Sequence, residues 1–206
     1  MSRIALDEPS AAIVLPEAFF GRDTVDVARA LLGRRLVRVL AGRRLSGLIN
    51  ETEAYRGADD QASHAYRRTP RSGIMFGPPG RAYVYFIYGR NYCLNTVTEA
   101  DGEPGAVLIR GILPMEGEDL MQAFRGFTGR RGLTDGPGKL CQALKIDLAL
   151  NGVSLVTRGS LFIEDGYEPA PDEIRATPRI GVRGDAETRS RPWRFLWQPA
   201  RGPGLP

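Results

Sequence analysis

The sequence of 206 residues is poor in the residues that build metal and redox centres. It has two cysteines, Cys93 and Cys141, which do not form a C-x-x-C pair, and one histidine, His64. Two thiols and one imidazole cannot supply a four-cysteine zinc or iron–sulfur site within the chain. We therefore expect free buried thiols, no metal and no cofactor.

Long apolar runs and lysines are also scarce. No segment approaches the roughly 18 consecutive apolar residues of a membrane span, and prolines and acidic residues interrupt the N-terminal apolar run. We therefore expect a cytoplasmic protein without membrane contact. Lys139 and Lys145 are the only lysines among 28 basic residues, against 24 acidic ones. Because the net charge is only +4, the positions of the arginines indicate a partner better than their number does.

The length predicts one folded domain with a sizeable core. Residues 1–16 are predicted to be a flexible N-terminal arm, and the Pro/Gly-rich residues 198–206 a flexible tail. Residues 17–197 then form the domain, because no repeat or long linker divides them.

Hydrophobic periodicity predicts the elements of this domain. A helix over Asp23–Gly33 precedes two antiparallel hairpins, whose strands are Arg35–Leu40 with Leu45–Tyr55 and Arg81–Tyr88 with Tyr92–Thr98. The remaining predicted elements are a strand at 106–113, a helix from Glu116 to Phe124, a helix from Gly138, and short strands at 160–164, 179–182 and 194–197. We predict an α+β fold in which helices surround a mixed, largely antiparallel, curved β-sheet and the second hairpin protrudes.

Two carboxylates and a phenol are predicted to share one strand face. In the segment Ile49–Tyr55, a period of two aligns Ile49, Glu51, Glu53 and Tyr55. If this face is partly buried, mutual repulsion would keep one carboxylate ionised and push the other toward protonation, as acid/base chemistry requires. A solvated strand edge with two glutamates that do no chemistry is the alternative.

The tip of the second hairpin combines an aromatic residue with a cation. Tyr88 and Arg90 flank Gly89 in the turn, followed by Asn91. An aromatic wedge beside arginine can enter the minor groove of DNA and fill the gap left by an unstacked base. A tip packed against its own protein is the alternative.

Two other motifs are excluded by their spacing. The segment Gly136–Leu140 lacks the glycine spacing and the Ser/Thr of a phosphate-binding loop. A zinc base deaminase would need H-x-E and P-C-x-x-C, but Tyr66 occupies the glutamate position after His64 and the second motif is missing.

The chain carries several distinctive segments in one order, namely Glu51–Tyr55, His64 nine residues later, Tyr83–Gly89, Asn95, Leu108–Arg110 and Gly138–Leu144. Together these segments resemble the alkyladenine (3-methyladenine) DNA glycosylases, and the likeness runs from about Phe19 to Trp197. The resemblance implies a monofunctional, metal-free enzyme that acts as a monomer on damaged double-stranded DNA, associated with the nucleoid in a prokaryote. Such an enzyme flips a damaged purine out of the duplex and hydrolyses its bond to deoxyribose.

The resemblance also implies roles for individual residues. Glu53 would be the general base, with Arg110 and the backbone carbonyl of Ile180 positioning its water. Tyr88 would intercalate into DNA, and Arg90, Asn91 and Lys139 would contact DNA as well. The flipped base would be bound by Tyr55, His64 and Tyr85 as walls, with Asn95 at the edge of the pocket.

The sequence departs from the family's eukaryotic pattern in two places. Arg90 and Asn91 replace a bulkier apolar and aromatic pair, and the loop between His64 and Thr69 is shorter. Both changes concern DNA contact and the range of damaged bases accepted rather than the hydrolysis itself.

Two other functions stay open at this point. A carbohydrate glycosidase could use Glu51 and Glu53, since same-face neighbours on a strand lie about 6.5 to 7 Å apart, within the roughly 5 to 9.5 Å range of such enzymes. A non-catalytic protein that binds distorted DNA would use the same hairpin and arginines.

Overall fold

The longest strand of the protein, β2 (Arg43–Tyr55), carries the paired glutamates. The computed structural model describes residues 12–87, 89 and 91–198. Within those ranges β2 is accompanied by seven further strands and five α-helices. In chain order these are α1 (Glu17–Phe20), α2 (Thr24–Ala30), β1 (Arg35–Leu40), β3 (Ala82–Ile87), β4 (Asn91–Val97), β5 (Ala106–Glu116), α3 (Glu118–Arg125), α4 (Pro137–Ala143), β6 (Leu161–Glu164), β7 (Ile174–Thr177), α5 (Ala186–Ser190) and β8 (Arg194–Trp197). Short 3-10 helices lie at His64–Tyr66, Gly73–Phe76, Leu148–Leu150 and Pro171–Glu173.

The strands form one open, curved sheet in the order β3-β4-β5-β2-β1-β6. Strand β5 pairs along one edge of β2, while β1 and β8 share the other edge, and β7 extends the sheet from β8. The α+β class is confirmed. The predicted mixed sheet is wrong in one respect, because every strand pairing in the described residues is antiparallel. Short turns such as Ala41–Gly42, both with positive φ, join neighbouring strands and impose this direction.

An irregularity in the β2–β5 register decides which residues of β2 face the site. Ile49 pairs with Ile112, but Glu51 pairs with Gly111 and Thr52 already pairs with Ile109. Ile49 packs fully buried in the main hydrophobic core. The predicted alternation therefore holds for Glu51, Glu53 and Tyr55 but does not extend to Ile49, because a β-bulge interrupts the side-chain period.

Helix α2 covers the other side of β2. Asp23 accepts hydrogen bonds from the backbone N–H groups of Val25 and Asp26 and thereby caps the helix, as its position predicts. Val27 and Ala28 are fully buried, and the hydroxyl of Thr52 donates to the carbonyl of Ala28 over 2.7 Å. The helix packing on this side leaves the face with Glu51, Glu53 and Tyr55 free for a site.

One predicted strand is placed wrongly. Residues 179–182 form a loop rather than a strand, because Gly181 has a φ of +70° and Arg179 is held by side-chain contacts; the strand lies earlier, at Ile174–Thr177. The helix predicted from about Glu116 to Phe124 is present as α3, Glu118–Arg125. Gly117, with a φ of +72°, ends β5 and turns the chain into this helix.

The last residues of the predicted N-terminal arm pack against the sheet. Val14 forms an isolated bridge with Glu164, and Leu15 is buried and donates from its N–H to the carbonyl of Ile163. Buried apolar residues thus begin a few positions before residue 17, the predicted start of the domain. None of the helices within the described ranges is long and apolar enough to cross a membrane.

Candidate active site

A cavity of about 620 Å³ opens over the strand face that carries Glu51, Glu53 and Tyr55. One row of the sheet runs beneath it, because Glu53 pairs with Leu108, Leu108 with Asn95, and Asn95 with Tyr83. Side chains from four strands, from the loop before β3 and from the loop after β7 form its walls. They include Tyr55, Gln61, His64, Met75, Tyr83, Tyr85, Cys93, Asn95, Leu108, Arg110 and Ile180.

Glu53 lies at the base of this region with no exposed surface. Its Oε1 accepts the backbone N–H of Ile180 over 2.7 Å. Its Oε2 accepts the Tyr55 hydroxyl over 2.7 Å and the Arg110 Nη1 over 3.3 Å. These three donors satisfy the oxygens of a carboxylate that would otherwise be costly to bury, and they fix its orientation.

Glu51 and Glu53 do not act on each other directly, because Arg110 lies between them. Its Nε donates to Glu51 over 2.7 Å while its Nη1 reaches Glu53. A second arginine, Arg194 of β8, also donates to Glu51 over 2.7 Å. The sequence predicted two carboxylates that repel each other directly. In the structure, Arg110 lies between them and offsets that repulsion.

The phenol of Tyr55 stays protonated beside Glu53. Burial, followed by the negative charge of Glu53, raises the pKa of Tyr55 well above its ordinary value. Behind the ring lies the guanidinium of Arg179, whose Cζ is 4.8 Å from the ring centroid. Tyr55 therefore donates a hydrogen bond to the carboxylate and presents a ring to the cavity, and the cation behind it limits its movement.

Arg179 and Asp60 form an ion pair with no exposed surface on either side chain. Two hydrogen bonds of 2.6 and 2.8 Å join them, and Arg179 also donates to the carbonyl of Ala54 over 2.8 Å. Ala54 lies between Glu53 and Tyr55, and Arg179 directly precedes Ile180. This pair thus ties the end of β2 to the loop that supplies the amide for Glu53.

The opposite wall is aromatic. The ring of His64 meets Tyr85 edge to face with centroids 4.7 Å apart, and its Nδ1 lies 2.9 Å from the Tyr83 hydroxyl. Desolvation, followed by repulsion from Arg71, lowers the pKa of His64 to about 4, although the residue is partly exposed. Burial, with a smaller effect of Cys93, raises the pKa of Tyr85. At neutral pH this wall therefore consists of uncharged rings.

Asn95 is buried and lines the cavity. Its side-chain N–H donates to the carbonyl of Tyr83 over 3.0 Å, which leaves the side-chain oxygen as an acceptor. Asn91, predicted to contact DNA, lines the cavity, packs against Gly138 and accepts from Gln142 over 3.2 Å. Lys139 is exposed on α4 and pairs with Asp135 over 2.7 Å. Tyr88 and Arg90 lie outside the described residues.

Four residues of the site were not predicted from the sequence: Asp60, Arg179, Tyr83 and Arg194. Asp60 and Arg179 are 119 residues apart, so no local pattern links them. Tyr83 could have been found, because it precedes Tyr85 by two positions on a strand and therefore shares its face.

A buried carboxylate with fixed donors, next to a cavity walled by uncharged rings and a few polar groups, is the arrangement expected of a binding or catalytic site. Comparison with known sequences agrees with this class. Residues 18–201 match the family described as methylpurine-DNA glycosylase, and the chain belongs to that family.

Three relatives illustrate the similarity. One from Methanocella arvoryzae is 51% identical, over 88% of this chain and 91% of the relative. Another, from Carboxydothermus hydrogenoformans, is 47% identical over 89% and 94%, respectively. A third, from Desulfitobacterium hafniense, is 44% identical over 88% and 93%. Each carries the name "Putative 3-methyladenine DNA glycosylase".

Proposed function

We propose that this protein excises damaged purines, 3-methyladenine among them, from double-stranded DNA by hydrolysing the bond between base and deoxyribose. It leaves an abasic site in an unbroken strand, as the first step of base excision repair. The observation that carries the proposal is the position of Glu53, a buried carboxylate with three donors beneath an aromatic cavity. Membership of the methylpurine-DNA glycosylase family supports the same activity.

Glu53 acts as the general base in this reaction. As the bond from C1′ to the base nitrogen breaks, its electron pair leaves with the base and positive charge develops on the sugar. The oxygen of water bonds to C1′, and one proton of that water passes to Glu53. The carboxylate stabilises the positive charge as well as receiving the proton.

The water approaches Glu53 at Oε1, which has one donor, rather than at Oε2, which has two. Because Glu53 has no exposed surface, the water enters only when the loop over it shifts. Ile180, which is 52% exposed, belongs to that loop and lines the cavity. Its backbone carbonyl and Arg110 then position the water.

The flipped base stacks between Tyr55 on one side and His64 and Tyr85 on the other. Aromatic faces attract an electron-poor ring, and an alkylated purine carries positive charge that makes it a good leaving group. Asn95 selects bases at the cavity edge through their exocyclic groups, because its side-chain oxygen is available to accept a hydrogen bond.

Contacts with the duplex come from the hairpin between β3 and β4 and from the start of α4. In this proposal Tyr88 occupies the space that the damaged base leaves, Arg90 and Lys139 contact phosphates, and Asn91 lies beside them. The protein acts as a monomer, since one hairpin and one cavity serve one lesion.

Two alternatives are weaker. A carbohydrate glycosidase needs one carboxyl group that can donate a proton, whereas Glu51 and Glu53 are both paired with Arg110. A non-catalytic protein that binds distorted DNA has no use for a buried carboxylate with three donors. Burying such a group costs stability, and catalysis gives a reason to keep it.

One incubation distinguishes these functions. A duplex with a single hypoxanthine is incubated with the protein and scored for abasic sites before and after alkaline cleavage. We expect abasic sites in an unbroken strand, and no covalent adduct on borohydride treatment. Binding without base release would support the non-catalytic alternative, and a trapped adduct would replace simple hydrolysis by an amine nucleophile.

A further inference from the structure

Two exposed arginines in the loop between His64 and β3 each rest on an aromatic ring. The Cζ of Arg68 lies 4.8 Å from the centroid of Phe76, and the Cζ of Arg71 lies 4.6 Å from that of Tyr85. Tyr85 is a wall of the cavity, whereas Phe76 is not among its lining residues. The two arginines thus make similar contacts, but only Arg71 places its charge against the cavity wall.

Arg71 stacks on the ring of Tyr85 but does not line the cavity, so we infer that its guanidinium lies on the face of the ring away from the cavity. A base stacked on the inner face would therefore be separated from this guanidinium by the thickness of the ring. Arg71 also acts on the neighbouring residues of the wall, since its charge affects the pKa of both Tyr83 and His64. The aromatic wall carries no charge of its own but has a fixed cation behind it.

Burial is the main cause of the protonation states of both neighbours of Arg71. It raises the pKa of Tyr83, so the phenol keeps its proton. It also lowers the pKa of His64, and repulsion from Arg71 is the second cause. The two side chains contact each other, since Nδ1 of His64 lies 2.9 Å from the Tyr83 hydroxyl.

We propose that Arg71 is a specificity-determining residue, whose charge behind the aromatic wall shifts selection toward neutral damaged purines, such as deaminated ones, and away from cationic N-methylated purines. The reason is electrostatic. A cationic base on the inner face of Tyr85 is attracted by the ring but repelled by the guanidinium on the outer face. A neutral base loses nothing to that repulsion. The inference rests on the proposed excision of damaged purines.

The activity test compares Arg71→Met with the matched control Arg68→Met, which removes an equal charge from the same loop. Single-turnover release is measured at pH 8 for hypoxanthine in a defined duplex and for 3-methyladenine in methylated DNA. We expect Arg71→Met to raise the ratio of cationic to neutral base release roughly three- to tenfold, as for one partly screened charge. Arg68→Met should change both rates equally, and Arg71→Lys should keep the wild-type ratio. An unchanged ratio in Arg71→Met overturns the proposal.

A second readout needs no catalysis. His64 is the only histidine in the sequence, so its imidazole signals in an NMR titration are unambiguous. We expect the pKa of His64 to rise above its value of about 4 in Arg71→Met, by the smaller share that Arg71 contributes beside burial, and to stay unchanged in Arg68→Met. An unchanged titration in Arg71→Met also overturns the proposal. If the titration shifts but the wild type releases neither base, the proposed function is what fails.

Discussion

Among the residues that the structure describes, two glutamates are fully buried, and they lie in different parts of the sheet. Glu53 is on β2 beneath the cavity, and Glu164 ends β6 at the far edge of the sheet order. Both are close to arginines: Arg110 donates to Glu53, while Arg44 contacts Glu164 and Arg158 lies 3.7 Å from it. Burial and arginine neighbours therefore do not by themselves distinguish a catalytic carboxylate from a structural one.

The difference between the two lies in their other partners. Glu53 accepts from a hydroxyl and a backbone amide, which hold it in one orientation beside the aromatic cavity. Glu164 has an Oε2 with no hydrogen-bond partner among the described residues. We infer that fixed neutral donors beside a cavity mark the reactive carboxylate, whereas Glu164 ties β6 to β2.

The largest effect expected from this comparison is the loss of activity in Glu53→Gln. Single-turnover base release should fall by about 100- to 10,000-fold, because general-base catalysis contributes that much, while binding to the lesion is kept. Glu164→Gln is the matched control. It should release base at the wild-type rate but lower the free energy of unfolding by about 1 to 3 kcal/mol. An equal loss of activity in both variants would contradict the assignment of Glu53 as the reactive carboxylate and Glu164 as a structural one.

A second large effect, on the free energy of unfolding, is expected from removing Arg179, the partner of Asp60, compared with removing Arg44, a partner of Glu164. Arg179→Met leaves Asp60 as an unpaired buried charge and should lower the free energy of unfolding by about 3 to 5 kcal/mol. Arg44→Met removes a partner of Glu164 whose side chain is 32% exposed, so its cost should be smaller. Denaturant unfolding of both variants checks the order. If Arg44→Met is the more destabilising variant, the Arg179–Asp60 pair does not stabilise the fold more than the Arg44–Glu164 pair does.

A moderate effect is expected for the donors to Glu53. Tyr55→Phe removes the hydroxyl that stabilises the ionised carboxylate, so base release at pH 7 should fall about tenfold, equivalent to about 1.4 kcal/mol. Tyr83→Phe, which removes a phenol in contact with His64 instead, should lower base release less. Single-turnover assays of both variants check this order, and an equal loss would contradict the role of the Tyr55 hydroxyl.

The raised pKa of Tyr55 makes a related prediction on the alkaline side. Because the pKa of the phenol is well above 10, the hydroxyl keeps its proton and continues to donate to Glu53. The wild-type rate should therefore show no loss from this group up to about pH 10. A Tyr55-dependent decline below that pH, absent in Tyr55→Phe, would contradict the assignment.

The smallest effect is on stability at acid pH. His64 takes up a proton at about pH 4 in the folded protein but near 6.5 when unfolded. The unfolded chain thus binds more protons between these values, so stability should fall as the pH is lowered from 6.5 to 4. His64→Gln should lose less stability over this window than the wild type. Unfolding curves at pH 7.5 and 4.5 provide the comparison, and equal losses would mean that the wall does not hold His64 neutral.

Much of the fold and several site residues could be predicted because their signals are local. Strand alternation placed Glu51, Glu53 and Tyr55 on one face, and β1 and β8 have their predicted bounds. The alternation was wrong for Ile49, because a bulge in the pairing with β5 is not visible in β2 alone. The strand predicted at 179–182 was wrong because a distant carboxylate, Asp60, holds Arg179 in a loop.

The sequence by itself determined the class of fold, the chemical types of the site residues and the hairpin between β3 and β4, since periodicity, turn residues and motif spacing are written within short segments. Only the tertiary structure decided that Arg110 separates the two glutamates, that Ile180 donates its N–H to Glu53, and that Arg71 stacks on Tyr85. These contacts join residues on different strands and loops. Their distances depend on sheet register and loop packing, which local sequence does not specify.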